Sequence, residues 1–163
     1  MKKDSLYWNG YFMALAKVSA LRSKDPSTQV GACIIDNDHK VVGLGYNGMP
    51  KGIDEIFPWD RSADTTKDTK YPYVVHAEVN AIINAFGKTK NGTIFTSLYP
   101  CSNCAKTIVQ AGISKVVYES DKYHDTEDGE IARKILQSCN IECEQLTIET
   151  GVEVKVGDKI FKA

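Results

Sequence analysis

The sequence predicts an α/β domain, and three observations carry that expectation. Two β-rich runs in the first third of the chain flank a turn-forming cluster, which argues for an antiparallel hairpin. From residue 76 onward, helical and strand-like segments alternate, the pattern of parallel strands joined by crossover helices. The chain has 163 residues, 42% of them apolar, and at that size one core buries roughly 70% of the unfolded surface with no disulfide or metal needed to hold it. A single domain over residues 1–163 is expected, with a short C-terminal extension from about residue 147.

Taken in order, residues 5–22 place Leu6, Phe12, Met13, Leu15, Ala16, Ser19 and Ala20 at helical spacings, with Asp4 available as N-cap and Pro26 as outer limit. QVGACIID (29–36) and KVVGLGY (40–46) then read as two strands around Asn37, Asp38 and His39. The 28 residues from Gly48 to Val75 hold Pro50, Gly52, Pro58 and Pro72, too broken for a regular element. Their load of Ile53, Ile56, Phe57, Trp59, Tyr71 and Tyr73 argues for a packed loop near a site rather than a disordered one. HAEVNAIINAF (76–86) is helical, TIFTS (93–97) a strand, CSNCAKTIVQA (101–111) helical and KVVYE (115–119) a strand. A helix near 128–138 and a strand near 141–146 complete the alternation, and the tail from Thr147 carries no clear pattern.

His76-Ala77-Glu78 followed by Pro100-Cys101 and Cys104 is the residue set that carries chemistry. An 11-residue helix spans about 16 Å, and the strand returning from it about 17 Å, so the second helix begins where the first began. His76 should therefore meet Cys101 and Cys104 at one sheet edge. Cys101 and Cys104 share a helix face, and a helix N-terminus favours thiolate over thiol. One histidine and two cysteines make three ligands and leave a fourth tetrahedral position for water, the arrangement of a catalytic zinc site. Two thiolates offset the metal's charge, so its water is acidified less strongly and needs a nearby base, which Glu78 supplies.

Other readings of these residues are possible. A lone Cys-x-x-Cys can be a redox pair, and Cys139 or Cys143 could close the site as a fourth thiolate, which would make it a structural zinc module. Nothing pairs those two cysteines spatially with Cys101. Cys33 lies in an apolar strand and reads as core. His-x-Glu with Pro-Cys-x-x-Cys is the pattern of zinc deaminases.

The chain resembles the deoxycytidylate deaminase family of the cytidine deaminase-like superfamily. The likeness runs from about Tyr7 to Asp125, through RSKDPSTQVGA (22–32), GYNGMPKG (45–52), DTKYPYVVHAEVNAI (68–82), YPCSNCAKTIVQAGI (99–113) and SDKYHD (120–125). GYNGMP, TKYPY and SDKYHD set this family apart from free-nucleoside, tRNA-adenosine and guanine deaminases. The resemblance implies a three-layer α/β/α sandwich around a five-stranded mixed sheet. It implies zinc-dependent hydrolysis of dCMP to dUMP and ammonia, supplying dUMP for thymidylate synthesis. His76, Cys101 and Cys104 would be the ligands of one zinc per subunit, and Glu78 the proton carrier. Substrate contacts are expected at Asn47, on the sugar hydroxyl, and at Ala77. For the phosphate, Arg22, Lys24, Lys122 and Tyr123 offer charged or phenolic donors and rank above Arg61 and Arg133 because they lie in matching blocks. The resemblance further implies a homo-hexamer, activation by dCTP, inhibition by dTTP and magnesium beside the triphosphate, with Gly48, Met49 and Pro50 the expected allosteric segment. Deamination of dCTP, alone or with dCMP, is the alternative activity.

Charge narrows the partners. Twenty basic residues against 21 acidic ones give a net charge of -1, with no run of like charges, so no polyanion attraction and no basic groove for a nucleic-acid strand is expected. No apolar run approaches a membrane span. An odd count of five cysteines and a start without a secretory pattern favour a reducing cytoplasm.

Overall fold

The computed structural model describes residues 4–163. In chain order, α1 (Trp8–Ala20) precedes the hairpin β1 (Gly31–Ile35) and β2 (Val41–Tyr46); α2 (Ala77–Asn84), β3 (Thr93–Leu98), α3 (Ser102–Gln110), β4 (Lys115–Ser120), α4 (Glu127–Ser138) and β5 (Glu142–Gln145) follow. The five strands form one mixed sheet in the order β2-β1-β3-β4-β5. β1 is antiparallel to both β2 and β3, whereas β3, β4 and β5 run parallel, as the hairpin and the alternation predict.

Successive residues of a strand face opposite sides of the sheet, and here the two sides build two cores. Cys33, Ile35, Phe95 and Val117 pack against Phe12, Met13 and Ala16 of α1. Ala32, Ile34, Ile94 and Val116 pack against Ala77 and Ala81 of α2, Ala105 and Ile108 of α3, and Ala132 and Leu136 of α4. One helix on one face and three on the other make the three layers. Among the described residues no helix is long and apolar enough to cross a membrane.

Two sequence expectations change. Asp4 does not cap α1: the Tyr11 N–H bonds to the Tyr7 carbonyl at 2.9 Å, so the first turn closes on Tyr7, and that extended N-cap residue makes no side-chain cap bond. The tail, read above as carrying no clear pattern, contains a separate hairpin of β6 (Glu153–Val156) and β7 (Lys159–Lys162). Its two-residue turn places Gly157 at φ 60°, the left-handed conformation a tight hairpin asks of its first central residue. Glu119 of β4 ties the tail to the sheet by accepting from the Thr150 N–H at 2.6 Å, and its other oxygen accepts from Lys17 Nζ of α1 at 2.8 Å.

The long connection from 48 to 75 is closed at its base by two reciprocal backbone bonds between Gly48 and Val75, of 3.0 and 2.8 Å. Inside it the Phe57 and Tyr73 rings stack with centroids 4.0 Å apart, and the Trp59 indole N–H reaches the Asp54 carbonyl at 3.2 Å. It is an ordered loop that packs its own aromatic side chains, although Ile56 and Tyr71 stay exposed.

Candidate active site

His76 and Cys101 occupy equivalent positions, each the N-cap residue of its helix, with φ near -70° and an extended backbone. Neither uses its side chain as a cap. The imidazole and thiol point at each other instead, because α2 and α3 start at the same edge of the sheet. His76 Nδ1 lies 3.3 Å from Cys101 Sγ and 3.3 Å from Cys104 Sγ, and the three donor atoms lie within 4.8 Å of one another. Zinc bonds of about 2.3 Å to sulfur and 2.0–2.1 Å to nitrogen, at tetrahedral angles, put S and N about 3.5 Å apart. The donor set fits zinc in both spacing and chemistry.

Considered as side chains alone, the three groups already share charge. The hydrogen bond from the Cys104 thiol, followed by that from His76, draws the Cys101 thiol down to about 4. The bond to Cys101 lifts the imidazole to about 9. Cys104 is pushed strongly upward by the Cys101 thiolate and by burial. A dication held by His76, Cys101 and Cys104 would take the place of the protons on Cys104 and His76.

Glu78 sits in the first turn of α2, only 4% exposed. Burial raises its pKa above the ordinary carboxylate value, and the neighbouring His76 offsets part of that rise. An upward shift moves a carboxyl in the direction that general acid–base work near neutral pH calls for.

A cavity of about 660 Å³ opens over these groups, with Asn47, Arg61, Glu78, Tyr71, Tyr123 and Asp128 in its wall. Of the predicted substrate residues, Ala77 and Asn47 are buried in that wall. Asn47 Oδ1 accepts from the Val30 N–H at 2.8 Å, while Nδ2 donates to Asp25 at 3.2 Å and to the Thr28 carbonyl at 2.9 Å. Both amide hydrogens are committed, so Asn47 can meet a sugar hydroxyl only as an acceptor. Tyr123 also lines the cavity; the Lys122 ammonium lies 5.0 Å from its ring centroid and 3.5 Å from Thr28 Oγ1. Arg22, Lys24 and Lys122 are absent from the wall, and Lys24 pairs with Asp54 at 3.0 Å. Gly48, Met49 and Pro50 form the base of the long loop, with Met49 buried. Cys33 is core, its thiol pushed up to about 12 by burial. Cys139 and Cys143 are exposed and stand outside the donor cluster.

Arg61, which the matching blocks exclude, lines the cavity, as do Asp25, Lys70 and Asp128, which the motif pattern does not single out. Lys70 Nζ bonds the Asp25 carboxylate at 2.7 Å, and Arg61 Nε donates to the Tyr71 hydroxyl at 3.3 Å. Asp25 and Lys70 lie inside the RSKDP and TKYPY blocks, and that was the available signal. Arg61 and Asp128 reach the site through tertiary packing alone.

Comparisons with known proteins agree with this geometry. The family model for the cytidine and deoxycytidylate deaminase zinc-binding region matches residues 6–120. Deoxycytidylate deaminase from Mus musculus is 50% identical over 148 residues, covering 90% of this chain and 83% of that protein. The Homo sapiens deoxycytidylate deaminase is 50% identical over 142 residues, covering 86% and 80%. The crystal structure of dCMP deaminase from the cyanophage S-TIM5 in complex with dCMP and dUMP superposes with a TM-score of 0.67 at 26% identity, covering 90% of this chain and 99% of that one. With a His76, Cys101 and Cys104 donor cluster that fits zinc, a buried glutamate beside it and a family match over most of its length, the chain belongs to the cytidine and deoxycytidylate deaminase family.

Proposed function

We propose that the protein hydrolyses dCMP to dUMP and ammonia, a reading carried by the juxtaposition of His76, Cys101 and Cys104 with buried Glu78 in one nucleotide-sized cavity. The similarity to deoxycytidylate deaminases supports that substrate. Zinc held by the triad supplies the Lewis acid that makes water nucleophilic near neutral pH. Glu78 takes a proton from the attacking water and delivers it to ring nitrogen three, so that carbon four becomes electrophilic as the water oxygen reaches it. A second proton then passes through Glu78 to the amino group, the C–N bond breaks, and ammonia leaves as the carbonyl of dUMP forms. Positioned proton transfer of this kind contributes about 10²–10⁴ in rate. Asn47 Oδ1 accepts from the sugar hydroxyl, and Ala77, the residue before Glu78, walls the base against α2.

The 5'-phosphate falls to Arg61 and Tyr123. The other cations in the wall are His76 and Lys70; His76 is a zinc ligand and Lys70 is spent on Asp25, which leaves the Arg61 guanidinium for a phosphate oxygen. Lys122 adds positive charge beside Tyr123, whereas Arg22 and Lys24 lie outside the wall and Lys24 is paired with Asp54, so neither takes the phosphate in this reading. The family resemblance extends the reading to a cytoplasmic homo-hexamer activated by dCTP with magnesium and inhibited by dTTP, with Gly48–Pro50 in the effector segment. The exposure of Ile83 and Phe86 on the α2 side supports assembly.

Ammonia release from dCMP, dCTP, deoxycytidine and single-stranded DNA tests the substrate, and Arg61→Gln and Tyr123→Phe test the phosphate contacts. Rapid turnover of dCMP alone is expected, with KM for dCMP raised about 10-fold or more in Arg61→Gln, the scale of one lost charge-assisted bond. Turnover of dCTP or DNA in place of dCMP would overturn the substrate, and unchanged KM in both variants would overturn the phosphate contacts.

A further inference from the structure

We infer that Asp128 is a positioning residue for the metal site, holding the first turn of α3 in the register that lets Cys101 and Cys104 bind one ion. The inference rests on reading His76, Cys101 and Cys104 as zinc ligands, and it starts from an omission in α3. A helix N-cap residue ordinarily accepts a bond from an N–H of the first turn with its own side chain. Cys101 occupies that position and makes no such bond, because its sulfur faces His76 at 3.3 Å.

Another helix supplies an acceptor to this turn instead, at the Ser102 N–H rather than at the second or third N–H that an N-cap side chain would reach. Asp128, in the first turn of α4, accepts from the Ser102 backbone N–H through Oδ2 at 3.1 Å and from the Ser102 hydroxyl through Oδ1 at 2.5 Å. Its carboxylate thus grips the residue next to Cys101 at two points. Two helix N-termini meet there, and both favour a negative charge. The position of Asp128 is itself fixed: Thr126 caps α4 by accepting from the Gly129 N–H at 3.1 Å, and a Cβ on Gly129 would come within 2.6 Å of the Tyr123 carbonyl oxygen, so α4 lies directly against the loop that carries Tyr123. Only a few tenths of an ångström separate the observed S···N spacing from that of a zinc-bound pair. A clamp on Ser102, the first of the two residues between the cysteines, therefore governs whether both thiolates reach the ion together. Groups that orient metal ligands typically change metal affinity by about 10–100-fold when removed.

Chelator competition with zinc, together with the thiolate-to-metal charge-transfer band of the cobalt(II)-substituted protein, tests this on wild type, Asp128→Ala, Asp128→Asn and Ser102→Ala. Asp128→Ala is expected to weaken zinc binding by about 10–100-fold and to lower the charge-transfer intensity per bound cobalt. Ser102→Ala keeps the backbone bond and should fall between Asp128→Ala and wild type. Asp128→Asn can still accept from the Ser102 N–H and should recover most of the affinity. A purely structural contact would lower the unfolding midpoint while leaving the cobalt band of the loaded protein unchanged. Wild-type zinc affinity and an unaltered band in Asp128→Ala would overturn the inference; should that variant fail to fold, the same two results in Ser102→Ala would do so. Failure of wild type itself to bind one zinc would instead overturn the reading of the triad.

Discussion

Asp25 and Lys70 lie 45 residues apart in sequence and meet inside the protein, with Lys70 only 6% exposed. Burial by itself would raise the Asp25 pKa, but the Lys70 ammonium and the N–H groups of Ser27 and Thr28 outweigh it and hold the carboxyl below its ordinary value. Because Asp25 also accepts from Asn47, the pair sets the orientation of an amide in the cavity wall. Replacing Lys70 with Met would leave a buried charge without its partner, and about 3–5 kcal/mol of stability should be lost in urea unfolding. The pH dependence follows from the direction of the shift. A depressed carboxyl contributes stability that is complete above its unfolded pKa, near 3.9, and is lost as pH falls through the lower folded value. Asp25→Asn should therefore flatten the fall of stability with pH below about 4, and an unchanged acid slope in that variant would show that Asp25 is not the group responsible. The donor cluster of His76, Cys101 and Cys104 is legible in the sequence because His-x-Glu and Cys-x-x-Cys are local spacings. The Asp25–Lys70 pair is not, because nothing in either segment names its distant partner.

The placement of α2, which carries Glu78 and follows His76, depends on the edge strand beneath it. Gly43 and Gly45 of β2 have no side chain to hold the helix away: a Cβ on Gly45 would sit 2.3 Å from both the Ala77 carbonyl and the Ala81 nitrogen. Asn80 and Asn84, one turn apart on α2, then donate to the Tyr46 and Leu44 carbonyls, each at 2.8 Å, and so satisfy part of the exposed strand edge. Gly45→Ala should push the helix outward and cost about 1–3 kcal/mol, the usual range for overpacking, with zinc content falling alongside the unfolding midpoint. Wild-type stability and zinc content in that variant would contradict this account of how α2 is seated. The hairpin and the helix–strand alternation were readable because apolar periodicity and turn residues act within a few positions. The start of α1 was misread because Asp4 has the chemistry of a cap but lies outside the turn that Tyr7 closes. The β6–β7 hairpin carries a signal of its own, strict apolar–polar alternation over Val152–Val156 and a Gly157-Asp158 turn, which is overlooked because the pair stands apart from the alternation of helices and strands that builds the main sheet.

Across the whole molecule, the mixed sheet explains how residues from distant segments make one site. β1 runs antiparallel to both of its neighbours, and β3 and β4 return in parallel through α3 on the same face as α2. The starts of α2, α3 and α4 therefore gather around one cavity, bringing His76, Glu78, Cys101, Cys104 and Asp128 together. The alternation of elements in the sequence implied the convergence of the first two helices. It did not reveal the loop that delivers Arg61, whose path depends on the Gly48–Val75 bridge and on the Phe57–Tyr73 stack. Whether Glu78 moves the protons of a zinc-dependent deamination is decided by ammonia release from dCMP by wild type and Glu78→Gln, with zinc content determined in both. Full zinc occupancy in the two proteins, with turnover of the variant reduced by about 10²–10⁴ or more, is the expected result. Turnover close to wild type in fully zinc-loaded Glu78→Gln would contradict the mechanism.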